Sequence, residues 1–229
     1  MIKKRYFITG TDTGVGKTTV SLMLLSQFGE KGFSTAAIKP VAAGAIKTDF
    51  GFRNDYAIKL QAAMTTTWPY ENINPFLLNE PISPNLSAKH QKINLTADKI
   101  VSACQPILNS NNIDIVIVEG AGGCHTPLND QETFADVAKA LDIPIILVVG
   151  LRLGCLNHAL LTVQAIQSSG LKIAGWVANQ VDYPMLYVEE NIHYLKKRLH
   201  APLLGIQPKI ICVDREFNKA DFIALQLPL

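Results

Sequence analysis

Lys17 and Thr18 close the segment Gly10-Thr11-Asp12-Thr13-Gly14-Val15-Gly16-Lys17-Thr18. Residues of these types at this spacing can hold a polyphosphate. Glycines let the backbone turn its N–H groups inward around an anion. A helix starting at Lys17 would aim its positive end at the same point. Lys17 itself would serve the β- and γ-phosphates, and the Thr18 hydroxyl could ligate Mg²⁺. The apolar strand Arg5–Thr9 precedes the segment and the helical run Thr19–Leu25 follows it. Strand, glycine-rich loop, Gly-Lys-Thr and helix describe a phosphate-binding loop. The loop departs from the common spacing, because Thr11 occupies the first glycine position and Gly10 lies one step earlier. An ordinary strand-to-helix turn would not need a lysine and a hydroxyl at these places.

Other residues could complete such a site. Glu119 ends the mainly apolar run 113–118 and precedes Gly120-Ala121-Gly122-Gly123. A carboxylate there is costly unless paired or hydrated, and it could meet the Mg²⁺ held by Thr18. The glycine-rich stretch after it reads as a flexible turn whose amides could approach a phosphate or substrate. Lys39 ends the strand Ala36–Lys39, and Pro40 cannot continue its ladder. A second ammonium beside the phosphate loop suits a transferring phosphoryl group; the alternative is an ordinary surface lysine. Asp55 opens a helix and reads as an N-cap or as a Mg²⁺ ligand. The N–H groups at Gly154-Cys155-Leu156-Asn157 could bind a carboxylate, whereas His158 reads as structural. Asn179 could read a base edge or simply end a strand.

These residues need a scaffold. Strands are expected at Tyr6–Thr9, Thr35–Lys39, Ile113–Glu119, Ile145–Val149, Ile173–Asn179 and Leu203–Ile206. Their continuous apolar character suits a parallel sheet buried on both faces. Helices are expected at Lys17–Gly29, Asp55–Met64, Ala97–Asn109, Phe134–Leu141, Leu156–Ser169 and Val188–Leu199, with Gly32 and Gly170 as C-terminal punctuation. Strands and helices alternate, which predicts one doubly wound α/β sheet with helices on both faces, a single domain over 1–229. Trp68 to Lys92, with four prolines, reads as a long ordered loop of the kind that often serves function. In an open parallel sheet ligands lie at the carboxyl ends of strands. That places Thr11 to Thr18, Lys39, Glu119 to Gly122, Gly150 to Asn157, Asn179 and Pro208 around one site.

The 229 residues are 48% hydrophobic with net charge +2 and no long basic block, which argues against nucleic acid or anionic membrane as the partner. The basic N-terminus is followed by an apolar run that stops at Thr9-Gly10, so no signal peptide is expected, and no apolar run is long enough to span a bilayer. Cys104, Cys124, Cys155 and Cys212 are widely spaced, which fits reduced thiols in the cytoplasm better than zinc. Cys124-His125 are adjacent and suit a shared metal poorly.

Taken together the chain resembles the dethiobiotin synthetase family. The resemblance rests on Thr9–Thr13, Val15-Gly16-Lys17-Thr18, Lys39-Pro40-Val41-Ala42, Val118–Gly123, Val148-Val149-Gly150, Leu153-Gly154-Cys155 with Asn157-His158, Gly175–Asn179 and Pro202–Gly205, in the family order. It implies an ATP-dependent cyclo-ligase acting on 7,8-diaminopelargonic acid, CO₂ and MgATP through a carbamate and a carbamic–phosphoric anhydride. By matched position, Lys17 and Lys39 would stabilise charge on phosphates and carbamate, and Thr18, Asp55 and Glu119 would hold Mg²⁺. Gly14, Val15, Gly16, Lys17, Thr18 and Thr19 would cradle phosphates, with Glu119, Gly120, Ala121 and Gly122 also facing the nucleotide. Asn179 and Pro208 would bind adenine. Thr13, Lys39 and Ala43 would meet the substrate, whose carboxylate tail would reach Gly154, Cys155, Leu156 and Asn157 across a homodimer interface, giving composite sites. Gly14 stands where family members often carry glutamate, and Ala43 where a serine is common. The segment at Asp55 is one residue shorter than usual.

Two other classes share this architecture. A partition-type regulatory ATPase usually carries an extra lysine early in the loop, where Asp12 stands here. An ATP-dependent amidoligase would bring a glutamine-hydrolysing domain, for which 229 residues leave little room.

Overall fold

The computed structural model describes residues 3–182, 184–210 and 222–226. Cys212 and most of the tail after Pro208 lie outside them. The chain runs β1 (Lys4–Gly10), α1 (Lys17–Glu30), β2 (Thr35–Ile38), β3 (Val41–Ala43), β4 (Ile46–Thr48), β5 (Gly51–Arg53), α2 (Asp55–Ala63), α3 (Tyr70–Ile73), β6 (Phe76–Leu78) and α4 (Pro84–His90). It continues through α5 (Ala97–Leu108), β7 (Ile115–Gly123), α6 (Phe134–Leu141), β8 (Ile145–Leu151), α7 (Cys155–Ser168), β9 (Ile173–Gln180), α8 (Val188–Arg198) and β10 (Leu203–Gln207).

Six strands form one sheet in the order β10-β9-β8-β1-β7-β2, every pair parallel. All six carboxyl ends therefore share one edge. Side chains alternate between two cores, as the period of a strand requires. Phe7, Val116, Val118, Leu147 and Val149 point into the larger core under α5, α6, α7 and α8. Tyr6, Ile8, Ile115, Ile117, Ile146 and Val148 point the other way, against α1. The apolar runs are continuous because both faces are covered. Gly32 and Gly170, both at positive φ, end α1 and α7 as expected, with Phe33 N–H returning to the Phe28 carbonyl and Leu171 N–H to that of Ile166.

Three expectations need correction. Trp68 to Lys92 is not one loop but α3, β6 and α4. Pro84 occupies the first turn of α4, where its missing N–H costs nothing, and β6 pairs with β3 in a small parallel sheet. Pro40 ends β2 but not the extended path, for β3 follows at once and the Pro40 carbonyl accepts from Phe76 N–H. Gly120–Gly123 is strand rather than turn: β7 continues through it, and Gly123 pairs with Gly10 after a register shift in β1. The hairpin β4–β5 has no counterpart in the sequence reading.

Cys104, Cys124 and Cys155 are free and buried. Burial pushes the Cys104 thiol up to about 12 and the Cys124 thiol up to about 11, so neither is a ready nucleophile. Among the described residues no helix is long and apolar enough to cross a membrane.

Candidate active site

The loop between β1 and α1 is held by packing below and hydrogen bonds at its sides. Thr11 N–H donates to the Val148 carbonyl at 3.0 Å, and its hydroxyl accepts from Gly150 N–H at 3.3 Å. Val15 is buried against Gly150, where a Cβ would lie 2.7 Å from its side chain. Gly16 has φ of 90° and abuts the Asn179 side chain, so a Cβ there would be both strained and blocked. Asn179 Nδ2 donates to the Val15 carbonyl at 2.8 Å. Its amide thus braces the loop from the end of β9. α1 then starts with no side-chain cap and no acidic residue in its first turn, which leaves its N–H groups available to an anion.

Three charged groups converge beside this helix start. Glu119 is 0% exposed, Lys39 6% and Lys17 8%. Glu119 Oε1 accepts from Lys39 Nζ at 2.6 Å and from Thr18 Oγ1 at 2.7 Å. Its Oε2 accepts from Ser21 Oγ at 2.8 Å. Burial would raise the Glu119 carboxyl, but the Lys39 charge and the hydrogen bonds from Lys39, Thr18 and Ser21 outweigh it and hold it below the usual range. The buried acid is therefore paired, as its position demanded, and Lys39 is no surface lysine. Lys17 Nζ donates to the Asp12 carbonyl at 3.0 Å. Burial first, then repulsion from Lys39, brings the Lys17 ammonium down to about 8, against the pull of Glu119 and Asp12.

These groups open on a cleft of about 790 Å³. Thr13, Gly14, Gly16, Lys17, Thr18, Thr19, Lys39, Ala43, Glu119, Ala121 and Gly122 line it, so most of the expected residues meet there. Val15 and Gly120 sit behind the lining, Val15 as the plug of the loop. Ala42, Tyr56, Pro81–Pro84, Thr126 and Pro127 complete the lining; the segment expected to be a functional loop thus contributes through the approach to α4 and its first residue.

Asp55 is not among the residues that line this cleft. Asn54 is the N-cap of α2, accepting from Ala57 N–H, and Asp55 pairs with Lys59 Nζ at 2.5 Å, one turn along α2 and beside the Tyr56 ring. The α2 residue that lines the cleft is Tyr56, with Lys39 Nζ 5.8 Å from its ring centroid. Gly154 to Asn157 form the start of α7 with Gly154 in the left-handed region, and Leu153 before them is 99% exposed. Pro208 is exposed just past β10, its carbonyl accepting from Gln207 Nε2.

Sequence reasoning missed Ser21, Tyr56 and the ion pair of Asp12 with Arg152, which ties the loop to the turn before α7. Ser21 had a signal: a hydroxyl three and four residues after Thr18 and Lys17 shares their helix face.

The loop, its lysine and the carboxyl-edge cleft define a phosphate-loop nucleotide-binding α/β protein. Comparison with known proteins agrees. The AAA domain family matches residues 4–216. The signal recognition particle receptor FtsY of Elizabethkingia anophelis superimposes with TM-score 0.54 at 15% identity over 95% of this chain and 63% of that one. A ParA family ATPase from Chlorobium tepidum superimposes with TM-score 0.54 at 16% identity, over 91% and 86%. Sequence relatives narrow the class. The ATP-dependent dethiobiotin synthetase of Cellvibrio japonicus is 48% identical, covering 92% of this chain and 91% of its own length. That of Marinobacter nauticus is 44% identical, covering 91% and 89%. The chain belongs to the ATP-dependent dethiobiotin synthetase family.

Proposed function

We propose that this protein, acting as one α/β domain, closes the cyclic urea of dethiobiotin from 7,8-diaminopelargonic acid and CO₂ at the expense of ATP. The observation that carries the reading is the convergence of Lys17, Lys39 and Glu119 on one cleft beside the phosphate loop. A carbamate formed on one amine is a poor electrophile. Phosphorylation of its oxygen makes a leaving group, and attack by the second amine expels phosphate and closes the ring. Both amines belong to one molecule, so closure gains from proximity. The loop N–H groups and Lys17 hold the phosphates. Lys39, two strands along the edge from the loop and beyond Glu119, would face the place where phosphoryl and carbamate charge meet and stabilise it.

Thr18 and Glu119 present oxygen donors 2.7 Å apart at the cleft wall, a set that suits Mg²⁺. Bound there, Mg²⁺ would neutralise charge on the β- and γ-phosphates. Asp55, engaged by Lys59, would have to leave that ion pair to join them. Thr13 and Ala43, which line the cleft, would meet the substrate, and Asn179 and Pro208 would bind adenine. The start of α7, led by the exposed Leu153, fits a homodimer in which Gly154 to Asn157 receive the partner's substrate carboxylate. The enzyme would act in the cytoplasm with small molecules alone, without nucleic acid or membrane.

The test is phosphate release from MgATP with and without the diamine and bicarbonate, with dethiobiotin followed by mass spectrometry. Diamine-dependent release equal to dethiobiotin formed is expected. Diamine-independent hydrolysis without cyclic urea would overturn the reading in favour of a regulatory ATPase.

A further inference from the structure

Glu119 is the only carboxylate lining the cleft among the described residues, and it has no freedom to choose its own orientation. Its two oxygens are treated differently. Oε1 meets Lys39 and Thr18, both of which line the cleft. Oε2 is turned inward and meets the hydroxyl of Ser21, which is 0% exposed on the second turn of α1 and does not line the cleft. Ser21 Oγ also lies 3.0 Å from the Lys17 carbonyl, the usual alternative for a serine inside a helix. A hydroxyl has one proton, so donation to Glu119 means forgoing the backbone acceptor.

We propose that Ser21 is a positioning residue: by holding Oε2 it fixes the Glu119 carboxylate with Oε1 toward the cleft, where a divalent cation must find it. The inference rests on the reading of Glu119 and Thr18 as Mg²⁺ ligands. Three features of the chain support it. The chain neighbours of Ser21 on α1, Val20 and Leu22 to Leu25, are buried and apolar, so a hydroxyl at position 21 is not there for packing. Lys17, Thr18 and Ser21 share one helix face, so the phosphate cation, the hydroxyl ligand and the acid's brace are set by one rigid element. Without Ser21 the inward oxygen would be buried with no donor from α1, and the carboxylate plane could rotate, drawing its outward oxygen off the place beside Thr18. Partners of this kind behind a metal ligand change metal affinity by about 10- to 100-fold.

The experiment is Mn²⁺ binding to the protein–ADP complex, followed by electron paramagnetic resonance, in wild type, Ser21→Ala and Ser21→Thr. Ser21→Ala is expected to weaken Mn²⁺ about tenfold or more while ADP affinity in EDTA stays unchanged, and Ser21→Thr, which keeps the hydroxyl, to regain most of the loss. A role in folding alone would lower the melting temperature of the metal-free protein without moving Mn²⁺ affinity. Wild-type Mn²⁺ affinity in Ser21→Ala overturns the proposal. If Ser21→Ala does not fold, Ser21→Cys, similar in volume and a weak donor, carries the same expectation. Wild type that binds ADP but no Mn²⁺ overturns the metal reading and this inference with it. Weakened Mn²⁺ in Ser21→Ala, together with failure to make dethiobiotin in wild type, upholds Ser21 and overturns only the assigned reaction.

Discussion

At the amino ends of β1 and β7, the Arg5 guanidinium donates to the carbonyls of Leu108, Lys4, Asp114 and Ile113 at 3.0–3.3 Å. Beside it the Asp114 carboxylate accepts from Ser34 N–H and Ser34 Oγ, while Asp114 N–H donates back to Ser34 Oγ. At the carboxyl edge, Lys17 after β1, Glu119 in β7 and Lys39 after the neighbouring β2 gather more deeply buried. Both ends bring charge to one strand pair, but they use it differently. At the amino end the charges close the backbone: the arginine's hydrogens go to carbonyls where α5 finishes and where β1 and β7 begin. At the carboxyl end the cations line an open cleft, and Lys17 has its ammonium brought down to about 8 by burial and by its neighbour Lys39. An incoming phosphate would relieve both pressures. Charge that finishes the chain is structural; charge crowded against a cleft awaits a ligand.

The largest effect should come from breaking the carboxyl end. Lys39→Met removes a cation facing the reacting groups and should lower kcat/KM by about 10³-fold or more, given the 10²- to 10³-fold typical of losing one neutral donor. It also strands a buried carboxylate, a loss of about 3–5 kcal/mol in stability. The double variant Lys39→Met/Glu119→Gln separates the two. Its melting temperature should recover toward wild type while turnover stays lost. Recovery of turnover in the double variant would show that Lys39 serves only to neutralise Glu119.

Breaking the amino end should do the reverse. Arg5→Ala leaves carbonyls to water and should cost about 1–3 kcal/mol, a fall of several degrees in melting temperature for a chain of this size. Its kcat and KM for ATP should stay at wild-type values. A tenfold change in kcat/KM for ATP would mean that the two ends are coupled through the sheet.

That contrast also marks what could be read from the chain. All six main strands and all six main helices were legible, because apolar runs of four to seven residues alternating with amphipathic stretches leave little choice. Glu119 was legible as a site residue for the same reason that makes it costly: an acid ending an apolar strand needs a partner. Which partner it takes was not legible, since Lys39 is 80 positions away. The small elements β3 to β6, α3 and α4 escaped because pieces of three to seven residues show no clear period, and four prolines between Trp68 and Lys92 mask the turns around α3, β6 and α4. Asp55 illustrates the finest limit. Its type suits a cap or a metal, but one step along a helix rotates a side chain about 100°. That step puts Tyr56 at the cleft and Asp55 against Lys59.

The smallest expected effect sharpens the comparison at the amino end through pH. Hydrogen bonds from the Ser34 side chain and backbone hold the Asp114 carboxyl below its usual value, with the Arg5 charge a lesser aid. A carboxyl depressed in the folded state contributes stability above its unfolded pKa, near 3.9, and loses it as pH falls through the folded value. Asp114→Asn keeps an acceptor oxygen and removes the charge. It should therefore melt slightly below wild type at pH 7, with the gap narrowing as pH drops below about 4, where the unfolded carboxyl takes up a proton first, and gone only below the lowered folded value. Thermal melts at pH 3, 5 and 7 measure the gap. A gap that stays constant across that range would mean that the asparagine changes packing rather than charge. Because Ser34 donates to this carboxylate far from the cleft, turnover at pH 7 should be the same in both proteins. A charge whose removal shifts a pH–stability profile and leaves turnover alone belongs to the scaffold, whereas Lys39 should show the opposite pattern.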